Sequence, residues 1–142
     1  MALRLQTRPV SNGMRILGID YGEKRIGIAL SDEEERLAFP HSIIPNNTDA
    51  IRRISDICKT EGVNTIILGE SRTYKGVENP IMKKIVRFKK KLELATELPI
   101  FFESELLTSQ EAKRGREENV GFVDDSAAAI ILQSYIDKRG AK

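Results

Sequence analysis

Residues 15–31 read Arg15-Ile16-Leu17-Gly18-Ile19-Asp20-Tyr21-Gly22-Glu23-Lys24-Arg25-Ile26-Gly27-Ile28-Ala29-Leu30-Ser31. The opening RILGID is short, apolar and closed by a glycine turn, which suits a buried strand. After the turn at 21–24, the alternation of Ile26, Ile28 and Leu30 predicts a second strand over 25–31. The acidic run Asp32-Glu33-Glu34-Glu35 makes the next turn, and a third strand is expected over 37–44. Pro40 interrupts that strand and favours a sheet edge, because proline cannot donate to the ladder. Three strands on short turns form an antiparallel meander. Period-two geometry puts Ile16, Gly18 and Asp20 on one face and Leu17 and Ile19 on the other.

Beyond the meander the apolar period changes. Ile51, Ile54 and Cys58 recur at helical spacing over 49–60, with Asn47 or Thr48 available as the N-cap. A strand at 63–68 ends at Gly69, and a polar loop covers 70–78. Asn79-Pro80 then reads as an N-cap followed by proline at the first helical position. The helix it opens carries Ile81, Ile85, Phe88 and Leu92 on one face. A fifth strand is expected over 99–102, and two helices over 109–118 and 124–137. The order βββ-α-β-α-β-α-α predicts an α/β protein with a mixed five-stranded sheet and helices on its faces, the layout of the ribonuclease H-like fold. No Pro/Gly/Ser-rich linker divides it, so a single domain is expected over 14–138, with a polar arm at 1–13 and a tail at 139–142.

The chain has 142 residues, 40% of them hydrophobic and 31% charged, which fits one domain with a real core. Its one cysteine, Cys58, rules out an intramolecular disulfide, and the apolar neighbours Ile54 and Ile57 predict a buried, inert thiol. Its one histidine, His41, rules out a His-rich metal site and a His-pair mechanism. The sequence holds no run of ~18 apolar residues to span a membrane. Residues 1–13 lack the apolar stretch of a signal peptide. A cytoplasmic protein is the expectation. The net charge of +2 permits a nucleic-acid partner without demanding one.

Asp20 puts a charge at the end of an otherwise apolar strand, where desolvation is costly unless a partner or a metal compensates. Capping the Tyr21-Gly22 turn is the plainer role for it. Glu105, three residues past the PIFF strand, is either a site residue brought toward Asp20 or a solvated glutamate favoured in the first turn of a helix. Asp124 and Asp125 precede Ala127-Ala128-Ala129, whose small side chains let a helix approach a sheet closely. There an aspartate caps, ligates, or one does each. Three separated carboxylates with no histidine or cysteine pair form a hard oxygen donor set, suited to Mg²⁺ or Mn²⁺ and not to zinc. Two such ions can stabilise the attacking and leaving oxygens of a phosphodiester displacement.

Lys83, Lys84, Arg87, Lys89, Lys90 and Lys91 crowd one helix, either as a solvated face or as a stripe that tracks phosphates. Candidate nucleic-acid contacts lie in three loops. Lys24 and Arg25 follow Asp20, Arg72 and Lys75 follow Gly69 beside Tyr74, and Arg114 and Arg116 accompany Lys113 before Gly121.

The run from Gly18 to Asp32 resembles the opening signature of the YqgF/RuvX family. Those are bacterial ribonuclease H-like proteins, described as candidate pre-16S rRNA nucleases and, earlier, as Holliday junction resolvases. Val123-Asp124, followed by Ala127-Ala128 and Leu132-Gln133, is similar to the family's last motif, and the likeness runs from Met14 to about Lys138. The middle motif differs. The family's Asp-Glu-Arg-Leu-Thr-Thr stands here as Ser104-Glu105-Leu106-Leu107-Thr108-Ser109, so a cation beside the acidic cluster is missing. The family's Gly-Leu-Pro loop is Gly69-Glu70-Ser71. The resemblance implies that Asp20, Glu105 and Asp124 are the catalytic, Mg²⁺-binding carboxylates of a nuclease. It implies a structured RNA substrate, the 5′ end of pre-16S rRNA, and a monomer or homodimer. Two other readings stay open. One is Holliday junction cleavage, which needs paired cuts and so a stable dimer; the other is a non-catalytic nucleic-acid-binding module.

Overall fold

The computed structural model describes residues 15–70, 80–104 and 127–140. The described elements are β1 (Arg15–Tyr21), β2 (Arg25–Ser31), β3 (Ala38–Pro45), α1 (Ala50–Glu61), β4 (Val63–Glu70), α2 (Pro80–Thr96), β5 (Ile100–Ser104) and α3 (Ala127–Gly140). They form one five-stranded sheet in the order β3-β2-β1-β4-β5. The meander is antiparallel, and β4 and β5 continue it in parallel on the far side of β1. This is the mixed sheet expected from the element order. The polar arm and the helix expected over 109–118 lie outside the described residues.

Strand alternation builds two cores, one on each face of the sheet. Leu17 and Ile19 of β1, Ile26 and Ile28 of β2, and Ile66 and Leu68 of β4 face α1 and α2, which contribute Ile54, Cys58, Ile85, Phe88 and Leu92. Ile16, Ala29 and Ile67 face the other way and pack under Ala128, Ala129, Ile131, Leu132 and Ile136 of α3. The apolar face expected on α2 is therefore the face it buries. Cys58 lies buried inside the first core, as expected, and burial pushes its thiol pKa up to about 12.

Local chemistry sets the ends of these elements. Asp32 locks the acidic turn after β2, its Oδ1 accepting the N–H groups of Arg36 at 2.8 Å and Leu37 at 3.1 Å. Those backbone bonds, Leu37's first, hold its carboxyl below the usual range against a smaller opposing effect of burial. At α1 the expected cap is corrected. The N-cap residue is Asp49, without a side-chain capping bond. Asn47 acts one step earlier, its Oδ1 accepting the Asp49 N–H at 2.9 Å and its carbonyl the Ala50 N–H at 3.0 Å. Gly62 ends the helix in the left-handed region, with φ 69° and ψ 43°.

β3 is an edge strand, as Pro40 indicated. The register steps from Ile28↔Ser42 to Ala29↔Pro40, so His41 is an extra residue in a bulge. At its C-terminus α3 runs to Gly140, past the expected stop at 137 and into the expected tail, because its last turn is tied down. Lys138 reaches Glu103 at 2.8 Å and Arg139 reaches Glu35 at 2.7 Å. No described helix is long and apolar enough to cross a membrane.

Candidate active site

Asp20 ends the central strand and shares its α3-facing side with Ile16 and Gly18. It is half-buried and lines a cleft of about 300 Å³ between the β1–β2 turn, β3 and the first residues of α3. Gly27 is its cross-strand partner. A Cβ at Gly27 would sit 3.6 Å from the Asp20 Cβ and 3.7 Å from the Ala128 Cβ, so the missing side chain is what leaves the floor beside the carboxylate open. Ala127, Ala128 and Ala129 close one side, and Pro40 and Ile43 of β3 form an apolar wall opposite.

Lys24 and Arg25 bring positive charge to the same cleft, and both are exposed. Their turn is held from outside. Asn46 donates from Nδ2 to the Gly22 carbonyl at 2.8 Å and from its backbone N–H to the Lys24 carbonyl at 2.9 Å. Glu23, between them in sequence, faces away and pairs with Lys84 of α2 at 2.8 Å. That hydrogen bond and the lysine's charge hold the Glu23 carboxyl below its ordinary range. The turn therefore presents two cations to the cleft and spends its one acid elsewhere. A carboxylate flanked by cations in a partly apolar cleft can hold a phosphate group against a hard cation.

A second carboxylate, which sequence reasoning passed over, lies on the same face of the sheet. Glu103 pairs with Gly69, the residue after Leu68, and Leu68 pairs with Ile19. Asp20, Gly69 and Glu103 thus form one row across the sheet, with the outer two about 10 Å apart at ~4.8 Å per strand. Ile131 separates them, since a Cβ at Gly69 would meet its Cδ1 at 2.8 Å. Glu103 is only 5% exposed, and its Oε2 accepts from Ser134 Oγ at 2.7 Å and from Lys138 Nζ at 2.8 Å. It fastens α3 to the sheet. The signal was present in the sequence: Glu103 has the parity of Phe101, and Ser134 and Lys138 are one helical turn apart. Lys138→Met leaves that buried carboxylate with one neutral donor and is expected to cost about 1–3 kcal/mol. Thermal melting checks this, and Glu103→Gln in the same background should recover part of the loss.

Comparison with known proteins fits this geometry. Residues 14–138 match the family described as RuvX: Holliday junction resolvase. The chain belongs to the RuvX family. A protein of Desulforudis audaxviator (strain MP104C), named "Putative pre-16S rRNA nuclease", is 33% identical over 89% of this chain and 96% of its own length. One of the same name from Syntrophus aciditrophicus (strain SB) is 37% identical over 87% of this chain and 89% of its own. Among solved structures, Thermus thermophilus RuvC in complex with a Holliday junction substrate superimposes with a TM-score of 0.60 at 13% identity, covering 89% of this chain and 96% of that one. That likeness establishes the shared ribonuclease H-like fold.

The RuvX opening motif now has a physical account. Gly18 lets α3 sit on β1, Gly27 opens the floor beside Asp20, and Lys24 and Arg25 line the rim. Of the residues expected at the site, the structure gathers Asp20, Lys24 and Arg25 in one cleft. Glu105, Asp124, Arg72, Lys75, Arg114 and Arg116 lie outside the described residues. Among the described residues no three of His, Cys, Asp or Glu converge as a metal site. The fifth strand, which precedes Glu105, lies two positions from the strand of Asp20, with β4 between them.

Proposed function

We propose that this chain is a divalent-metal-dependent nuclease that hydrolyses phosphodiester bonds in structured RNA, with the 5′ end of pre-16S rRNA as its substrate. The observation that carries this reading is Asp20, a strand-end carboxylate in an open cleft whose charged neighbours among the described residues are Lys24 and Arg25. The names of relatives covering nearly the whole chain support the RNA substrate. Residues 14–138 act as one catalytic domain, working in the cytoplasm as a monomer or homodimer.

The donor chemistry fits Mg²⁺ or Mn²⁺: Asp20 offers hard carboxylate oxygens, and no cysteine or histidine lines the cleft. Asp20, Glu105 and Asp124 would hold the ion. When bound, it supplies an activated water and neutralises charge on the scissile phosphate. The chain's own residues do the rest. Lys24 and Arg25 hold the phosphates flanking the cut, while Pro40 and Ile43 limit water on the far side. Arg72, Lys75, Arg114 and Arg116 extend the contact along the nucleic acid. Leu106 leaves the acidic cluster without the family's arginine, so Lys24 and Arg25 carry more of the phosphate's charge here.

Incubation with a precursor RNA carrying a 5′ extension tests the reading. Cleavage is expected in Mg²⁺ and none in EDTA; a pure, folded sample that leaves the RNA intact in both Mg²⁺ and Mn²⁺ overturns it. Gly27→Val offers a second test. Its Cβ would stand at ordinary contact distance from side-chain atoms only, 3.6 Å from the Asp20 Cβ and 3.7 Å from the Ala128 Cβ, and the side chain fills the floor beside Asp20. A loss of about tenfold in kcat/KM, about 1.4 kcal/mol, is expected with an unchanged melting temperature.

The family's description as Holliday junction resolvase favours a second substrate, a four-way DNA junction. Paired cuts need a dimer, so a monomer that ignores four-way junctions removes this alternative.

A further inference from the structure

We propose that the hollow between α1 and α2, on the face of the sheet opposite the Asp20 cleft, is a second contact zone for the phosphodiester backbone of the nucleic acid, reached across the β1–β2 turn. The inference rests on the nuclease reading above and extends the same substrate to a surface outside the cleft.

Lys84, Arg87 and Lys91 follow one another at helical spacing on α2, so they share a side of it. Together with Tyr21, Asn46 and Asn47 they line a hollow of about 280 Å³. A second hollow of about 190 Å³ adjoins it, shares Lys84 and Arg87, and adds Lys83. The result is a cationic trough about 10 Å long between residues 84 and 91, at 1.5 Å per residue. Three nucleotides of one strand span that length at ~3.4 Å each.

Part of the positive charge in this trough has no counter-ion among the described residues. Lys84 pairs with Glu23, and both are at least half exposed. Arg87 and Lys91 make no ion pair with any described residue. Glu23's hydrogen bond raises the pKa of the Lys84 ammonium, and Arg87 opposes it. Like charges held side by side repel, and a polyanion relieves them. The lining also indicates which part of the nucleic acid binds. The Tyr21 ring is engaged with Phe88 at a centroid distance of 5.0 Å, tilted 59°, so it offers no free platform for a base. Lysine, arginine and asparagine contacts remain, and these position a backbone without reading sequence.

Continuity with the cleft comes from Asn46. It lines the trough, and its two bonds to the Gly22 and Lys24 carbonyls fix the turn whose Lys24 and Arg25 line the Asp20 cleft. A strand held at Asp20 thus meets the trough by crossing one pinned turn.

The test is salt-dependent RNA binding by the full chain, followed by fluorescence anisotropy in EDTA so that no cleavage occurs. The triple variant Lys84→Ala, Arg87→Ala, Lys91→Ala is compared with Arg52→Ala, Arg53→Ala, Lys59→Ala, which removes equal charge from the exposed side of α1. Each lost phosphate contact lowers the slope of log K against log salt by about 0.7–0.9. A drop of roughly 2–3 is therefore expected for the trough variant and little for the control. Arg87→Gln alone should lower the slope by about 0.7–0.9, which keeps the test usable if the triple variant fails to fold. Equal slopes for the two triple variants overturn the inference. So does displacement of RNA by poly-glutamate at lower concentration than by unlabelled RNA, which would assign the trough to an acidic protein. A parent protein that binds RNA with the trough-dependent slope yet never cleaves overturns the nuclease reading and leaves the trough standing. A parent that cleaves while the trough variant behaves as the control does the reverse.

Discussion

Asp20→Asn is expected to cleave precursor RNA about a thousandfold more slowly than the parent while binding it as tightly in EDTA. The substitution keeps the size and hydrogen-bonding outline of the side chain and removes its negative charge. About 4 kcal/mol of transition-state stabilisation corresponds to that factor, the scale expected where a carboxylate helps to hold a catalytic cation. On the proposed reading the phosphate contacts belong to Lys24, Arg25 and the wider cationic surface, so binding should persist and even strengthen slightly once a like charge is gone. The fold should hold, because Asp20 is half-buried at the lip of the cleft and its cross-strand partner is a glycine. Rates in Mg²⁺ and in Mn²⁺, with anisotropy in EDTA, separate the two effects. Full metal-dependent activity in Asp20→Asn would remove Asp20 from the mechanism. Equal losses of binding and cleavage would make it a structural residue of the turn.

Much of this architecture was legible because two periods dominate the sequence. Leu17 and Ile19 against Ile16 and Gly18 announced a strand buried on both faces, and the structure supplies a core for each. Ile85, Phe88 and Leu92 announced the buried face of α2 in the same way. Pro40 located an edge. What stayed hidden was set by tertiary pairing. Gly69 reads as a strand stop, yet β4 continues through it because β5 pairs alongside, Gly69 opposite Glu103 and Glu70 opposite Ser104. β5 runs on to Ser104 for the same reason, which turns Glu103 from a loop residue into a buried anchor. The capping of α1 was misplaced by one or two residues because Asn47 bonds the backbone ahead of the helix, a local bond that competes with a true cap. Of the cleft, the sequence singled out Asp20, Lys24 and Arg25, which the fold brings together, while the spatial separation of Asp20 and Glu103 by Ile131 depends on how α3 crosses the sheet.

Gly18→Val is expected to lower the melting temperature by roughly 10 °C, the equivalent of about 3 kcal/mol in a chain of this size. A Cβ at Gly18 would lie 2.8 Å from the Leu132 Cβ and 3.1 Å from the Ala128 carbonyl oxygen. Neither atom belongs to a flexible tip. Both move only with the backbone of α3, so the helix must lift off the centre of the sheet. Lifting it loosens Ile16, Ala29 and Ile67 from their partners and pulls Ala128 away from the cleft, so activity should fall with stability. The contrast with Gly27→Val isolates the cause, because there the nearest atoms stand at 3.6 and 3.7 Å and melting should not change. Leu132→Ala sharpens the test further. It removes the side chain beyond Cβ and leaves the clashing atom in place, so it should fail to rescue Gly18→Val and should add the cost of a cavity. A Gly18→Val protein that melts within about 2 °C of the parent, or is restored by Leu132→Ala, would mean that α3 does not rest on Gly18.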